Sequence, residues 1–379
     1  MSSRSTHAAS HIHDLFSDAD FQIQRDLGMV KVTKHPMLPL FIYNYTQRAQ
    51  FTPEHWNHVT DLCRGLVVDS LGYIVARGFK KFWNINDARH PETMMENLPA
   101  TPPTLTTKLD GSLGIAFRYY SEWHVATRGS FDSPQAIWAT AWLRANVPDL
   151  TAPLNTTLLF EIVYPANQIV VKYDWSGLVL LAAIDNNSGC ELRYTYLKKY
   201  AQAQGLSIVT QHAKPLTEAI TEDIDNEEGY VATWLNAAGP PLKVKIKYAT
   251  YCRLHRMLTQ TSPLTVWEAL RDNLDLDKLS ADSPAEFQTW VGSVIRDLRG
   301  KYAAIEQAAL DAYLTYKPDP NLPEDVAAYK KHFAEYAKSQ PANITHLLFA
   351  LQSQKDLAPQ IWKQIRPTQQ YVFKTDIDT

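Results

Sequence analysis

Residues 104–117 read Thr104-Leu105-Thr106-Thr107-Lys108-Leu109-Asp110-Gly111-Ser112-Leu113-Gly114-Ile115-Ala116-Phe117. The β-branched run Thr104, Thr106 and Thr107 predicts a strand, and apolar residues resume at Leu113, Ile115 and Phe117. The Asp110-Gly111 pair predicts a tight turn joining the two strands. Lys108 then sits where a strand ends against a loop, a place from which a side chain can face a pocket. A lysine there can act as a nucleophile, provided its amine loses its proton. From an ordinary pKa near 10.4, populating the neutral amine at pH 7 costs roughly 4–5 kcal/mol. The nucleophile reading therefore predicts partial desolvation and further cations around Lys108 to offset that cost. Lys-x-Asp-Gly alone is a short motif that an exposed hairpin also satisfies, so the rest of the chain has to decide.

The chain has 379 residues, 45% hydrophobic and 20% charged, which is ordinary for globular protein and enough for two domains. No apolar run approaches a membrane span; the longest, 178–184, has the length of a buried strand. The first twenty residues are polar, so no signal peptide is expected. Cys63, Cys190 and Cys252 are widely spaced and odd in number. They form neither a disulfide framework nor a zinc signature, and a cytoplasmic location is expected. A net charge of −3 argues against a protein that coats nucleic acid through bulk positive charge, so any polyanion must be met by a local cluster. The 10 Trp and 19 Tyr supply stacking surfaces as well as core.

Strands are expected at 41–45, 65–69, 73–77, 114–119, 122–127, 157–163, 169–173, 178–184, 230–234 and 242–248. Helices are expected at 134–145 and 196–204, with a short one within 13–27 and no clear periodicity elsewhere before about residue 38. The segment 91–103 holds four prolines and reads as a crossing loop. The pattern is α+β and mostly antiparallel. After about residue 255 it changes. Ser262-Pro263 and Ser283-Pro284-Ala285-Glu286 are helix-start signals, and 287–316 has helical spacing. Helices also fit 323–339, 344–352 and 359–365. The expected division is residues 1–254, built on antiparallel sheets, and an all-α domain over 255–379.

Four further groups bear on Lys108. In Leu242-Lys243-Val244-Lys245-Ile246-Lys247-Tyr248 the strict alternation puts three lysines on one strand face. Such a face is most often solvated, yet three adjacent ammonium groups repel unless an anion lies over them. A triphosphate is the obvious candidate, and the same charges would depress the pKa of a nearby lysine. Glu227-Glu228-Gly229-Tyr230 opens the preceding strand, and a carboxylate beside a polyphosphate is what a bridging Mg²⁺ requires. In Phe160-Glu161-Ile162-Val163 a carboxylate interrupts an apolar strand. Either it faces outward, or it is buried and needs a partner such as a ligand hydroxyl. Arg64-Gly65 and Lys81-Phe82-Trp83-Asn84 add cations and rings.

Taken in order, Arg64-Gly65, Lys81-Phe82-Trp83-Asn84, Lys108-x-Asp110-Gly111-Ser112-Leu113, Phe160-Glu161, Glu228-Gly229-Tyr230-Val231 and Lys245-Ile246-Lys247 resemble the covalent nucleotidyltransferases. Within them the chain is most similar to the RNA ligase 1 family of T-even bacteriophages, over 41–251 and, more faintly, 346–351. The resemblance implies an N-terminal nucleotidyltransferase (adenylation) domain and a helical domain bearing on RNA substrate choice. It implies an ATP-dependent RNA ligase in which Lys108 attacks the α-phosphorus of ATP, expels pyrophosphate and holds AMP as a phosphoramidate. The AMP then passes to an RNA 5′-phosphate, and a 3′-hydroxyl displaces it to seal the strand.

Carried over position by position, the resemblance has Glu161 bind the ribose and Glu228 hold a Mg²⁺ or Mn²⁺ ion. Lys245 and Lys247 hold phosphates and serve catalysis, and Arg64 and Lys81 are active-site cations. Trp83, Asp110, Gly111, Arg128, Gly229 and Tyr251 complete the ATP site. Trp83 stands where the family has phenylalanine and Arg128 where the phage enzyme has lysine. The implied partners are RNA with 5′-phosphate and 3′-hydroxyl ends, a nicked tRNA among them, and an end-healing polynucleotide kinase-phosphatase. RNA repair in the cytoplasm, the host's if the chain is phage-encoded, would follow, with no membrane involved. DNA ligases and GTP-using RNA-capping enzymes share the core, but usually follow the last lysine strand with a small β-barrel where this chain continues in helices. A non-catalytic RNA-binding protein is a further alternative; it has no need of the nucleophile and would carry more positive charge, and an unrelated metabolic α+β enzyme would require all five motifs to be coincidence.

Overall fold

Alternating apolar and polar residues up to about residue 250 become three sheets. The strands are β1 Val30–Lys34, β2 Leu40–Tyr45, β3 Arg64–Asp69, β4 Ile74–Ala76, β5 Trp83–Asn84, β6 Thr104–Lys108, β7 Ser112–Tyr119, β8 Glu122–Ala126, β9 Thr156–Val163, β10 Gly177–Asp185, β11 Ser207–Ile208, β12 Gln211–His212, β13 Gly229–Trp234 and β14 Leu242–Lys247. They are arranged as β1-β2-β3-β4, β11-β10-β9-β7-β8 and β12-β6-β13-β14-β5. Pairing is antiparallel except for β10 with β11 and β14 with β5. The computed structural model describes residues 9–52, 54, 56–237, 239–274, 285–321 and 325–368. The chain divides into two compact units between Arg253 and Leu254.

The β9-centred sheet is covered on both faces, which is why its strands read as nearly continuous apolar runs. Leu158, Phe160 and Ile162 of β9 pack with Ala139 and Leu143 of helix α4 (Pro134–Asn146) and with Leu197 and Ala201 of α5 (Tyr194–Gln204). Leu159 points the other way, into a cluster with Ile115, Phe117, Leu40, Ile42 and Val67. A bulge between Leu180 and Ala182 of β10 reverses the parity. Leu178 and Leu180 therefore face the helices, whereas Ala182 and Ile184 face the other cluster. Glu161 shares the face of Leu159, not of its apolar neighbours Phe160 and Ile162.

Two expectations fail here, and for a common reason. β6 and β7 do not form a hairpin; they belong to different sheets. A two-residue hairpin turn needs left-handed backbone, and neither Asp110 nor Gly111 has a positive φ. Residues 109–111 instead cross from one sheet to the other. Nor is 169–173 a strand. The Val170 and Val171 N–H groups that a ladder would need both donate to Asp110 Oδ2, at 2.7 and 2.8 Å. β1 was not foreseen, its Val-Lys-Val-Thr-Lys alternation being short. The 13–27 helix resolves into a 3₁₀ turn, Ile12–Asp14, and α1 Asp18–Asp26, capped by Ser17.

The remaining helices of this unit are α2 Gln47–Phe51, α3 His58–Leu62 and α6 Leu216–Ala219. Helix α7, Ala249–Gln260, follows β14. From there every described element is helical: α8 Pro263–Arg271, α9 Ala285–Thr315, α10 Val326–Ser339, α11 Ala342–Gln352 and α12 Ala358–Gln364. Ser262 caps α8 with Pro263 in its first turn, as its sequence predicts. Ser283 and Pro284, half of the second start signal, lie outside the described residues, as do the first residues of the helix expected at 323–339. Ala309, Ile344, Leu347 and Ile361 form part of the apolar core of the helical unit. The mixed α+β composition matches the sequence reading. Among the described residues no helix is long and apolar enough to cross a membrane.

Candidate active site

The register of β6, β13 and β14 builds the floor of a cleft. Gly229 pairs with Lys108 on one side and Lys247 on the other; Val231 pairs with Thr106 and Lys245; Thr233 pairs with Thr104 and Lys243. Residues two apart share a face, so Lys108, Thr106 and Thr104 form one column and the three lysines of β14 another. Gly229 has φ +133°, and a Cβ there would lie 2.0 Å from the Ile246 carbonyl oxygen, so only glycine fits. Glu228, 2% exposed, precedes it and joins the two columns. Lys108 Nζ lies 2.7 Å from Glu228 Oε2 and Lys247 Nζ lies 3.0 Å from Oε1.

The three β14 lysines are not equivalent, which corrects the expectation of three unneutralised charges. Lys247 has Glu228. Lys243 has Glu191 at 2.8 Å and the Thr233 hydroxyl at 3.2 Å. Lys245, between them, makes no ion pair or hydrogen bond among the described residues; its ammonium lies 5.0 Å from the centre of the Phe82 ring. Burial, then the charges of Lys81, Lys247, Lys108 and Arg64, pull its pKa well below the ordinary lysine value. An anion is what this position lacks.

Lys108 contradicts expectation in the opposite sense. Burial pulls its pKa down, but Glu228, Glu161 and Asp110 outweigh that and hold it above the ordinary value. Its immediate neighbours are carboxylates rather than cations, and at neutral pH it is an ion-paired ammonium. Glu161 faces the same cleft. Burial pushes its pKa up to about 8; Lys108 opposes this, while Glu228 and Asp110 reinforce it. At pH 7 it is mostly a neutral acid, able to donate a hydrogen bond as well as accept one.

Asp110 lines the cleft, as expected of an ATP-site residue, and also holds the crossing segment in place. It is 3% exposed. Its Oδ2 accepts from Val170 and Val171, its Oδ1 accepts from the Tyr251 hydroxyl at 2.8 Å, and its N–H donates to the Tyr173 hydroxyl at 2.9 Å. Both oxygens are occupied within the protein, so Asp110 and Tyr251 are struts that fix the crossing segment. Gly111 allows the segment to lie against β9: a Cβ would sit 2.5 Å from the Ile162 oxygen and 3.2 Å from Glu161 Oε1.

Arg64, Phe79, Phe82, Ile169, Leu181 and Val209 join these residues around a cleft of about 920 Å³, counting the part open to solvent. That is the size and the mixture of apolar wall and convergent charge expected of a small-molecule site. Lys81 and Trp83 do not line it. They line an adjoining cavity that shares Phe79, Phe82 and Lys243 with the cleft. Arg128 lines neither; it donates to the Tyr45 hydroxyl at 2.6 Å, and Lys81 donates to the same hydroxyl at 3.2 Å. Lys81 Nζ also lies 4.8, 5.1 and 4.7 Å from the ring centres of Tyr45, Trp56 and Trp83. Burial raises the pKa of the Tyr45 phenol, but Arg64, Arg128 and Lys81 together bring it below the ordinary value. Sequence reasoning placed Tyr45 in a strand and missed this role. It missed Glu191 too, whose pairing with Lys243 spans half a hundred residues and leaves no local signature.

Among the described residues no three or more His, Cys, Asp or Glu side chains converge as a metal-holding group. The donor set nevertheless fits a hard divalent cation of the Mg²⁺ kind, which takes one or two carboxylates and completes its shell with phosphate oxygens and water. Asp110, Glu161 and Glu228 are the carboxylates that line the cleft, and Lys108 and Lys247 hold the two oxygens of Glu228 in this structure.

A family model described as RNA ligase matches residues 62–247, from just before Arg64 to Lys247 itself. A putative RNA ligase of Thermovibrio ammonificans is 31% identical over 209 residues, 52% of this chain and 53% of that protein. Over residues 62–247 the chain is similar to the RNA ligase family. A putative bifunctional polynucleotide kinase/RNA ligase of Autographa californica nuclear polyhedrosis virus is 27% identical over 65% of this chain and 38% of its own length. The solved structure of an archaeal ATP-dependent RNA ligase aligns at a TM-score of 0.47 and 12% identity, over 90% of this chain and 96% of that one. This chain thus spans about half, or less, of the two relatives compared by sequence. The matched region contains Lys108, Glu161, Glu228 and all three β14 lysines, while Tyr45 precedes it and Tyr251 follows it.

Proposed function

We propose that this chain is an ATP-dependent RNA ligase, joining RNA 5′-phosphate and 3′-hydroxyl ends through a lysyl-AMP intermediate on Lys108 and an adenylylated RNA. The observation that carries this reading is the arrangement at Gly229: a nucleophile candidate and a phosphate-binding lysine held by one carboxylate, with an unpaired ammonium, Lys245, one row away. The match to the RNA ligase family model supports the reaction class. Phosphoryl transfer depends mainly on positioning and on stabilising charge, and this is a site rich in both.

In this mechanism Lys245 receives the phosphate charge that its position lacks, and Lys247 and Arg64 flank it. Glu161, as a neutral acid, hydrogen-bonds a ribose hydroxyl. Before attack the proton on Lys108 must leave, and Glu228 Oε2 at 2.7 Å is the acceptor within reach. The amine lone pair then forms the nitrogen–phosphorus bond as the bond to pyrophosphate breaks. A Mg²⁺ or Mn²⁺ ion at Glu228 would supply charge neutralisation on the phosphates. Asp110 and Tyr251 position the loop that carries Lys108. Lys81, Arg128 and Tyr45 form a cationic cluster whose charge reaches Lys245.

The helical unit takes the part of RNA selection, with a nicked tRNA as candidate substrate and RNA repair as the setting. The kinase named in the viral relative supports a partner that prepares RNA ends. The test is incubation with ATP and Mg²⁺ followed by circularisation of a 5′-phosphorylated single-stranded RNA, with DNA ends and GTP as controls. Sealing of DNA in preference to RNA, or labelling by GTP alone, would move the assignment to another nucleotidyltransferase. A chain ending near residue 255 should keep AMP attachment and lose preference among RNAs. Equal loss of both would mean that the helices serve folding.

A further inference from the structure

The segment that carries Lys108 into the cleft is clamped at two points, and the proposed chemistry uses only one of them. Asp110 is held by Val170, Val171 and Tyr251. The other clamp is Asn167, 7% exposed, at the end of the 3₁₀ turn Pro165–Asn167. Its Nδ2 donates to the Ile162 carbonyl at 2.7 Å. Its Oδ1 accepts from the Ser112 hydroxyl at 2.9 Å and from Gln135 Nε2 at 3.2 Å. A carbonyl can only accept, so Ile162 fixes which way the amide faces, and the other two bonds follow. One buried side chain thus ties together the first residue of β7, β9 near its end and the first turn of α4.

What these three bonds surround is the contact between Gly111 and Glu161. Ser112 follows Gly111, Ile162 follows Glu161, and Ser112 and Ile162 pair across β7 and β9. The Ile162 oxygen that Asn167 holds is the atom a Cβ at Gly111 would strike, at 2.5 Å. The Gly111 N–H in turn hydrogen-bonds the Glu161 carboxyl. Gly111 therefore sets the direction of that carboxyl, and Asn167 sets the place of Gly111. The Asp110 clamp lies on the Lys108 side of the segment and the Asn167 clamp on the Glu161 side. A carboxyl that must meet one hydroxyl of a sugar has little tolerance, since a displacement of about 1 Å takes a hydrogen bond outside its working range.

We propose that Asn167 is a positioning residue for sugar selection: it holds Glu161 where it meets a ribose hydroxyl of ATP, and so makes the chain prefer a ribonucleotide to its deoxy counterparts. The inference rests on the RNA ligase reading, in which Glu161 binds the ribose. It adds a residue that does not itself line the cleft.

The variants are Asn167→Ala, which removes the clamp, and Ser112→Ala, which removes one of its bonds and leaves the amide in place. Single-turnover AMP attachment is measured with ATP, 2′-dATP and 3′-dATP over a range of concentrations, alongside urea unfolding. Wild type should use ATP at least about tenfold better than the deoxynucleotide that lacks the hydroxyl facing Glu161. N167A should lose about tenfold with ATP, the worth of one hydrogen bond at the sugar, and less than about twofold with that deoxynucleotide. S112A should narrow the preference by about threefold. If Asn167 serves folding alone, N167A loses stability and keeps the wild-type preference, and that result overturns the proposal. Equal slowing with ATP and with the deoxynucleotide does the same. Should N167A fail to fold, S112A decides by the same measure. A wild-type chain that gains AMP without preference among the sugars overturns the role of Asn167 alone. One that gains no AMP at all removes the RNA ligase reading and this inference with it.

Discussion

Lys108 and Lys247 stand on opposite sides of Gly229, each paired with it from a neighbouring strand, and each holds one oxygen of the Glu228 carboxylate. The absent side chain at Gly229 and the left-handed backbone that glycine permits let the preceding carboxylate lie between the two columns of side chains. One buried acid thereby sets the protonation of the nucleophile candidate and neutralises the end of the lysine column.

Replacing Glu228 with Gln leaves the Lys108 and Lys247 ammonium groups with no carboxylate between them. A loss of about 3 kcal/mol in unfolding free energy is expected, the lower end for a broken buried pair, because both lysines can turn into the open cleft. Urea titration measures this. AMP attachment should be lost as well, and a stable, active E228Q would remove Glu228 from its central place.

Glu161→Gln tests the neutral acid. In the folded chain the Glu161 carboxyl keeps its proton up to about pH 8, while in the unfolded chain it releases it near 4.5. Between these values the folded state binds the extra proton, so raising the pH costs the wild type stability that E161Q does not lose. The melting-temperature advantage of E161Q should grow from pH 5 to pH 8 and level off above. A constant difference across that range would show that Glu161 ionises normally.

Much of this was readable in the sequence, and the failures share a cause. The strand alternation of 242–248 placed three lysines on one face, and the gap-spaced motifs gathered Lys108, Glu161 and Glu228 into one site. Alternation reports which face a side chain takes, not what stands opposite. It could not distinguish Lys245 from Lys243 and Lys247, because their partners Glu191 and Glu228 come from distant loops. The same limit hid the fate of Asp110-Gly111. A hairpin and a crossing between sheets use the same residues, and the choice is made by Val170, Val171 and Tyr251 closing on the Asp110 carboxylate.

Tyr251→Phe removes one of the three hydrogen bonds to that buried carboxylate. The expected cost is about 1–3 kcal/mol. AMP attachment should slow while the affinity for ATP changes little, since the hydroxyl positions the loop instead of touching the nucleotide. Single-turnover kinetics over a range of ATP concentrations separates the two; a shift confined to ATP affinity would make Tyr251 a ligand contact.

Lys245→Met exchanges an unpaired cation for an apolar chain of similar length. Stability should rise, by about 1 kcal/mol, because the variant no longer buries an uncompensated charge. AMP attachment should fall by at least 100-fold, in keeping with the loss of one charge-stabilising group. A less stable K245M would mean that the ammonium is already satisfied in the resting protein.

The most direct test is to incubate the wild-type chain with ATP and Mg²⁺, weigh it intact and map the adduct by peptide sequencing. One AMP per chain, on Lys108 and absent from Lys108→Ala, is the predicted result. No adduct, or an adduct on Lys245, whose proton is loosened by burial and neighbouring cations, would contradict the account.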